Sequence, residues 1–270
     1  MSTLRRTGAL TAILATGLTS VALAATINGT QGPDSLIGTP NTDQIFGFGG
    51  NDLILGLGSN DRLVGGDGND TIGGDGNCPP GAVNGTYCGS GSTGDDGNDR
   101  IEGNEGADNI DGNGGNDRVD GGNGSDRIRG SAGRDDLRGD SGTDSIRGGT
   151  GNDRIRGGTG NDGGGGGRGL FGESGRDKIT GDSGNDTVSG GSGNDRLSGV
   201  SGRDRISGSS GSDRISGGTG RDRLSGGSGR DRIFSRDGSR DTVLCGSGRD
   251  TVNADRRDRV SRDCERVRRR

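Results

Sequence analysis

The chain has 270 residues, 66 of them glycine, and only 22% are hydrophobic, with one Tyr, four Phe and no Trp. That is too little apolar surface for a conventional core, which leaves a disordered low-complexity chain or a repeat whose short units each add one residue to a thin continuous core. The net charge of -5 hides an asymmetry: residues 25–126 carry 17 acids and 3 bases, whereas residues 127–270 carry 22 acids and 29 bases.

The absence of histidine removes imidazole general bases, Ser-His and Cys-His pairs and His-containing zinc sites, and Lys178 is the only lysine. Carboxylates recur along the chain instead of converging as a pair, so no enzyme is expected. The first half presents uncompensated carboxylates to cations, while the second half largely neutralises its own.

In chain order, residues 1–24 read as an export signal. Arg5 and Arg6 form a positive start, Gly8 to Val21 a short apolar stretch, and Ala22-Leu23-Ala24 a small-x-small cleavage pattern. Cleavage is expected after Ala24, giving a secreted chain with no membrane span left behind. Aspartates then fall in steps of nine. Residues 25–70 hold Asp34, Asp43, Asp52, Asp61 and Asp70. Residues 71–98 break the period with a Pro79-Pro80 loop bracketed by Cys78 and Cys88. Residues 99–162 resume with Asp99, Asp108, Asp117, Asp126, Asp135, Asp144, Asp153 and Asp162.

A glycine-rich interruption follows at 163–172 and includes Leu170-Phe171; like the first, it is expected to be a surface excursion. Residues 173–234 carry Asp177, Asp186, Asp195, Asp204, Asp213, Asp222 and Asp231 amid many arginines. The end, 235–270, drifts to steps of ten, nine and eight at Asp241, Asp250 and Asp258, and Cys245 and Cys264 bracket it. Of the three ways to pair four cysteines, nearest neighbours is the simplest, as structural staples.

These are 23 units, and 22 place Ile, Leu or Val two residues after the aspartate; the unit at Asp162 has Gly164 there. Gly65-Gly66-Asp67-Gly68-Asn69-Asp70-Thr71-Ile72-Gly73 shows the full pattern, G-G-x-G-x-D-x-U-x with U apolar. Glycines in the turn permit positive φ and close approach of stacked backbones. Inward carbonyl oxygens plus the aspartate make a hard oxygen donor set, which suits Ca²⁺. The x-U-x that follows is a short strand with U inward and its neighbours outward.

From about residue 34 to 260 the pattern resembles hemolysin-type (RTX) calcium-binding repeats, a nonapeptide associated with a calcium-binding parallel β-helix. The resemblance implies an all-β fold, a parallel β-roll in which successive units alternate between two facing sheets. Two nonapeptides make one coil, and turns eighteen residues apart stack with several calcium ions between them. The expected metal ligands are Asp34, Asp43, Asp52, Asp61, Asp70, Asp99, Asp108, Asp117, Asp126, Asp135, Asp144, Asp153, Asp162, Asp186, Asp195, Asp204 and Asp213. The family is typically exported through an uncleaved C-terminal signal, whereas this chain carries an N-terminal one. No effector domain is expected before Asp34 or after Asp258.

Arginine departs from the pattern. Arg176, Arg203, Arg221 and Arg230 precede the aspartate, and Arg196, Arg205, Arg214, Arg223 and Arg232 follow it. Three readings stand: a solvated outer face, internal Asp–Arg ladders that compete with calcium, or contact with anionic cell-surface polymers. The leading function is an extracellular calcium-binding protein that folds on Ca²⁺. The alternative is a calcium-independent adhesion or matrix solenoid held by Asp–Arg ladders. Nucleic acid is not an expected partner, and an ice-binding surface is disfavoured because the outward positions hold Arg, Ser, Asp and Glu.

Overall fold

The computed structural model describes residues 24–75, 97–163 and 167–270. Residues 1–23, most of the expected signal, lie outside the described residues, as do Cys78, Cys88 and Gly164. Among those described there are 25 strands and no helix, and no helix is long and apolar enough to cross a membrane. Each turn ends at an aspartate, after which x-U-x extends as a strand that buries one side chain and exposes its neighbours. In the strand Arg118–Gly124, for example, Val119 is buried between exposed Arg118 and half-buried Asp120.

Successive strands alternate between two parallel sheets of 13 and 12 strands, each pairing with the strand two places on. The register step is eighteen residues: Ile128 lies beside Ile146, and Val119 beside Leu137. A parallel ladder cannot turn back through a hairpin, so each coil must pass through the opposite sheet before it returns. The inward residues of both sheets, from Leu36 to Val252, form one file of buried Ile, Leu and Val. Burying each supplies about 2 kcal/mol, and no wider core exists among the described residues.

The first interruption is narrower than its sequence boundaries. Thr71–Asp75 is a regular strand, pairing with Leu53–Leu57 on one side and Asn109–Asp111 on the other. The chain is back in the turn by Gly97, whose N–H donates to Asp75 Oδ2 at 2.6 Å. The second interruption also differs from expectation. Leu170 does not belong to a surface excursion; it is fully buried and sits between Ile146 and Val188. It fills the inward position of the Asp162 unit, so that unit contributes to the core like the others.

The disulfide Cys245–Cys264 ties the last coil to the one before it. Cys78–Cys88 concerns residues outside those described.

Candidate metal centre

Stacking converts the aspartate period into two columns, one along each edge of the solenoid. One runs Asp43, Asp61, Asp99, Asp117, Asp135, Asp153, Asp177, Asp195, Asp213, Asp231 and Asp250. The other runs Asp34, Asp52, Asp70, Asp108, Asp126, Asp144, Asp162, Asp186, Asp204, Asp222, Asp241 and Asp258. Within a column each aspartate donates its backbone N–H to Oδ1 of the aspartate on the next coil. Asp117 N donates to Asp135 Oδ1 at 2.8 Å, and Asp135 N donates to Asp153 Oδ1 at 3.0 Å. The ladder bridges both interruptions, from Asp61 to Asp99 and from Asp153 to Asp177, each at 2.8 Å. All the candidate aspartates are therefore brought into register.

The second carboxylate oxygen is the informative one. From Asp52 to Asp231, Oδ2 of every column aspartate is buried and no donor among the described residues reaches it. A buried polar atom without a partner costs free energy, and a repeated one demands a ligand. The surroundings supply the rest of a site. Ahead of each of these aspartates, two places after the preceding apolar residue, stands a glycine. A Cβ built on Gly47 would overlap both Asp52 Oδ2 and the Gly65 carbonyl oxygen of the next coil, and one on Gly130 would meet Asp135 Oδ2 and the Gly148 carbonyl. The glycine keeps a cradle open between a carboxylate and a carbonyl oxygen. Further along the turn, Gly68 adopts φ 135°, a conformation that lets its backbone pass against Gly50 of the preceding coil.

Electrostatics point the same way. Burial pushes the Asp117 carboxyl up to about 8; the N–H from Asp99 opposes this, and the like charges of Asp99 and Asp135 add to it. Asp61 is likewise pushed up to about 8, Asp99, Asp108, Asp144, Asp177 and Asp186 to about 7, and Asp126, Asp153, Asp204 and Asp213 to about 6, with burial the largest cause in each. A file of mutually repelling, dehydrated carboxylates must bind protons or cations to stay folded. Among the described residues no three carboxylate, thiol or imidazole side chains converge, so backbone carbonyls must complete each coordination shell. Oxygen-only donors of this kind fit Ca²⁺. The column aspartates and the cradle carbonyls would hold it, and the ion would neutralise each pair of stacked carboxylates.

The ends of the columns differ from the middle. Asp34 Oδ2 accepts from Thr30 N and Oγ1, at 2.5 and 2.9 Å, and Asp43 Oδ2 accepts from Thr39 N and Oγ1, at 2.5 and 3.0 Å. Both expected ligands thus have protein donors already. At the far end the cradle glycine is replaced by Ser235, Cys245 and Ala254, all buried. Asp241 and Asp250 keep a donorless Oδ2, but a side chain now stands where the cradle was. Asp258 Oδ2 accepts from Ser235 Oγ and Asp255 N, at 2.9 and 2.7 Å.

The expected ligand set leaves out Asp177, Asp222 and Asp231, along with Asp241, Asp250 and Asp258. The geometry gives the first three the same orphaned oxygen and a glycine in the same place as Asp117, and at Asp177 and Asp231 a carbonyl of the next coil, from Gly190 and Cys245, completes the cradle. The expected set misses Glu265 altogether; the Oε2 of that residue takes the ladder's final backbone N–H, from Asp250, at 2.8 Å. Glu265 stands fifteen residues after Asp250, outside any nine-residue step, so periodicity carries no signal for it.

The Asp–Arg ladder is not what the chain builds. Among the described residues the four ion pairs join Arg62 and Arg100 to Glu102, Arg129 to Asp111, and Arg147 to Glu173, and no column aspartate takes part. The column's partner is the backbone of the adjacent coil, and the arginines flanking it point outward and are exposed.

With this geometry in hand, comparison with known proteins is direct. The RTX calcium-binding nonapeptide repeat (4 copies) matches residues 24–52, 46–77, 93–128, 129–164, 170–197, 198–233 and 207–240. No curated protein matches the chain. Among solved structures, one titled "X-ray crystal structure of a hyperactive, Ca2+-dependent, beta-helical antifreeze protein from an Antarctic bacterium" aligns at 18% identity over 84% of each chain, with a TM-score of 0.27. Matched over most of its length by the repeat whose turn, strand and aspartate ladder it builds, the chain belongs to the family of RTX calcium-binding nonapeptide repeat proteins.

Proposed function

We propose that the protein is an exported calcium-binding rod, not an enzyme, whose central coils fold when Ca²⁺ enters the two aspartate columns outside the cell. The carrying observation is the run of buried, donorless Oδ2 atoms from Asp52 to Asp231, each facing a glycine cradle. In the absence of a cation those carboxylates repel one another across each coil. A cation that binds only the folded stack stabilises it by mass action. Extracellular calcium modules work at dissociation constants around 10⁻⁴–10⁻³ M, a range matched to the outside of a cell.

The first rung of the ladder supports the export part of this reading. Ala25 N lies 2.6 Å from Asp43 Oδ1, in the place an aspartate N–H takes on later coils. Cleavage after Ala24 would turn that amide into an ammonium and seat the processed end on the first rung of the ladder. The Asp–Arg alternative loses its basis, because no column aspartate pairs with an arginine among the described residues.

The test is far-UV circular dichroism of the mature chain in chelator, followed by titration with calcium and, separately, magnesium. A cooperative coil-to-β transition with calcium alone supports the proposal. A spectrum already β-rich in chelator at pH 8 and unmoved by calcium overturns it.

A further inference from the structure

Several outward arginines of the earlier coils are given acidic neighbours: Arg62 and Arg100 share Glu102, and Arg147 reaches Glu173 at 2.9 Å. Near the C-terminal end that provision stops. Along the edge that carries Asp204 and Asp222, Arg203, Arg221 and Arg240 precede the column aspartates, while Arg205, Arg223 and Arg259 follow in the strands. The six side chains line a groove of about 580 Å³. Arg205 and Arg223 are direct neighbours in register, Thr242 takes the next place and Arg259 the one after, so the backbone positions that carry these side chains recur at the spacing of stacked strands, about 4.8 Å.

None of the six has an ion-pair partner among the described residues. The carboxylates on the groove floor, Asp204 and Asp222, are buried, and each commits Oδ1 to a backbone N–H at 2.9 Å. Two parallel rows of unpaired guanidiniums repel each other unless something anionic lies between them. Arginine suits the planar oxygens of sulfate and carboxylate groups, which it binds through paired N–H donors.

We infer that this groove is a binding site for a linear acidic polysaccharide, whose sulfates or carboxylates run along the rod axis between the two arginine rows. The regular rise of the coils matches a polymer with evenly repeated charges better than a compact anion. A single-stranded nucleic acid would gain from aromatic stacking platforms, and the groove lining contains no aromatic residue. Calcium in the column would cancel the charge of Asp204 and Asp222 and leave the arginines unopposed. That calcium dependence rests on the function proposed above; the arginine rows do not.

The test is the binding of dextran sulfate to the full mature chain in calcium, with neutral dextran and single-stranded DNA as comparison ligands. Circular dichroism is recorded on the same samples. One variant carries Arg221→Ser with Arg223→Ser; serine already stands at equivalent places on this edge as Ser125 and Ser145, so folding should survive. A second variant removes the same charge from the other sheet, through Arg154→Ser with Arg196→Ser.

The expected result is that the groove variant binds dextran sulfate about tenfold more weakly while the other variant changes little. Equal weakening in both variants, no binding by the parent chain, or tighter binding of DNA than of dextran sulfate would overturn the inference. If the chain proves folded without calcium yet the groove variant alone loses binding, the polysaccharide site stands and the calcium-folding proposal falls. If calcium folds the chain but both variants bind as the parent does, the reverse holds.

Discussion

The central coils and the C-terminal coils use the same apolar file and the same backbone ladder, but they treat the aspartate differently. Between Asp52 and Asp231 each carboxylate faces an open cradle above a glycine, with one oxygen unsatisfied. Beyond it, Ser235, Cys245 and Ala254 put a side chain where the glycine stood, Asp258 is satisfied by Ser235 and Asp255, and a disulfide joins Cys245 to Cys264. The central coils are arranged to need a cation, whereas at the end the space for one is closed and a covalent tie holds the stack. A side chain of one or two heavy atoms at a single turn position separates the two regimes.

The largest expected effect is regional. In chelator at pH 8, amide hydrogen exchange should be fast across residues 44–229 and slow in the strands Thr242–Gly248 and Thr251–Ala254; calcium should protect the central residues. Uniform protection or uniform exposure in chelator would erase the distinction between the regions.

Next comes pH. In the cation-free fold burial raises the central carboxyls above the usual 3.8, to about 8 at Asp61 and Asp117 and to about 6 at Asp126 and Asp153. The folded state therefore binds more protons than the unfolded one. Cation-free stability is fully present below about 4 and is lost as pH rises through 6 to 8. In chelator, β structure should appear on acidification from pH 8 to 5 and vanish on return, while saturating calcium should flatten the profile.

A smaller, site-specific effect is expected from Gly121→Ala. Its backbone is of an ordinary kind, so the cost arises from the new methyl meeting Asp126 Oδ2 and the Gly139 carbonyl. Calcium stoichiometry should fall by about one ion and stability by about 2 kcal/mol. Ala254→Gly, the reverse change at the cap, should leave stoichiometry unchanged. Isothermal titration with thermal melts of both variants tests the pair.

The mildest is Asp135→Asn. The amide oxygen still accepts the N–H of Asp117, but one of the repelling charges is gone. In chelator this variant should be slightly more stable than the parent; in calcium it should be less stable and need a few-fold more metal to reach its midpoint.

Much of this architecture is legible in the amino-acid order. The nine-residue period, the apolar residue two after each aspartate and the glycine content prescribe a parallel roll, because only a closed stack buries so thin a file of side chains. Anchoring the frame on aspartate alone obscures two further features. Leu170-Phe171-Gly172 has the same U-x-Gly form as Ile128-Arg129-Gly130, and that form places Leu170 in the core despite the extra residues before it. The same form, lost at Ile233-Phe234-Ser235, Val243-Leu244-Cys245 and Val252-Asn253-Ala254, marks the end of the open cradles. Glu265 has no local signature, because its role exists only opposite Asp250 in the folded stack.

The sequence by itself determined the strand period and the inward face, since these follow from alternation and repeat length, and its resemblance to the repeat family implied the columns of aspartate. Only the tertiary structure decided what each carboxylate meets. Whether Oδ2 finds a threonine, a serine or an open cradle depends on a neighbouring coil or on the shape of the turn, and so do the fates of the arginines, which pair with Glu102 or Glu173 in one place and line an unpaired groove in another. Contacts between residues eighteen apart are invisible to local propensity and are set by how the coils stack.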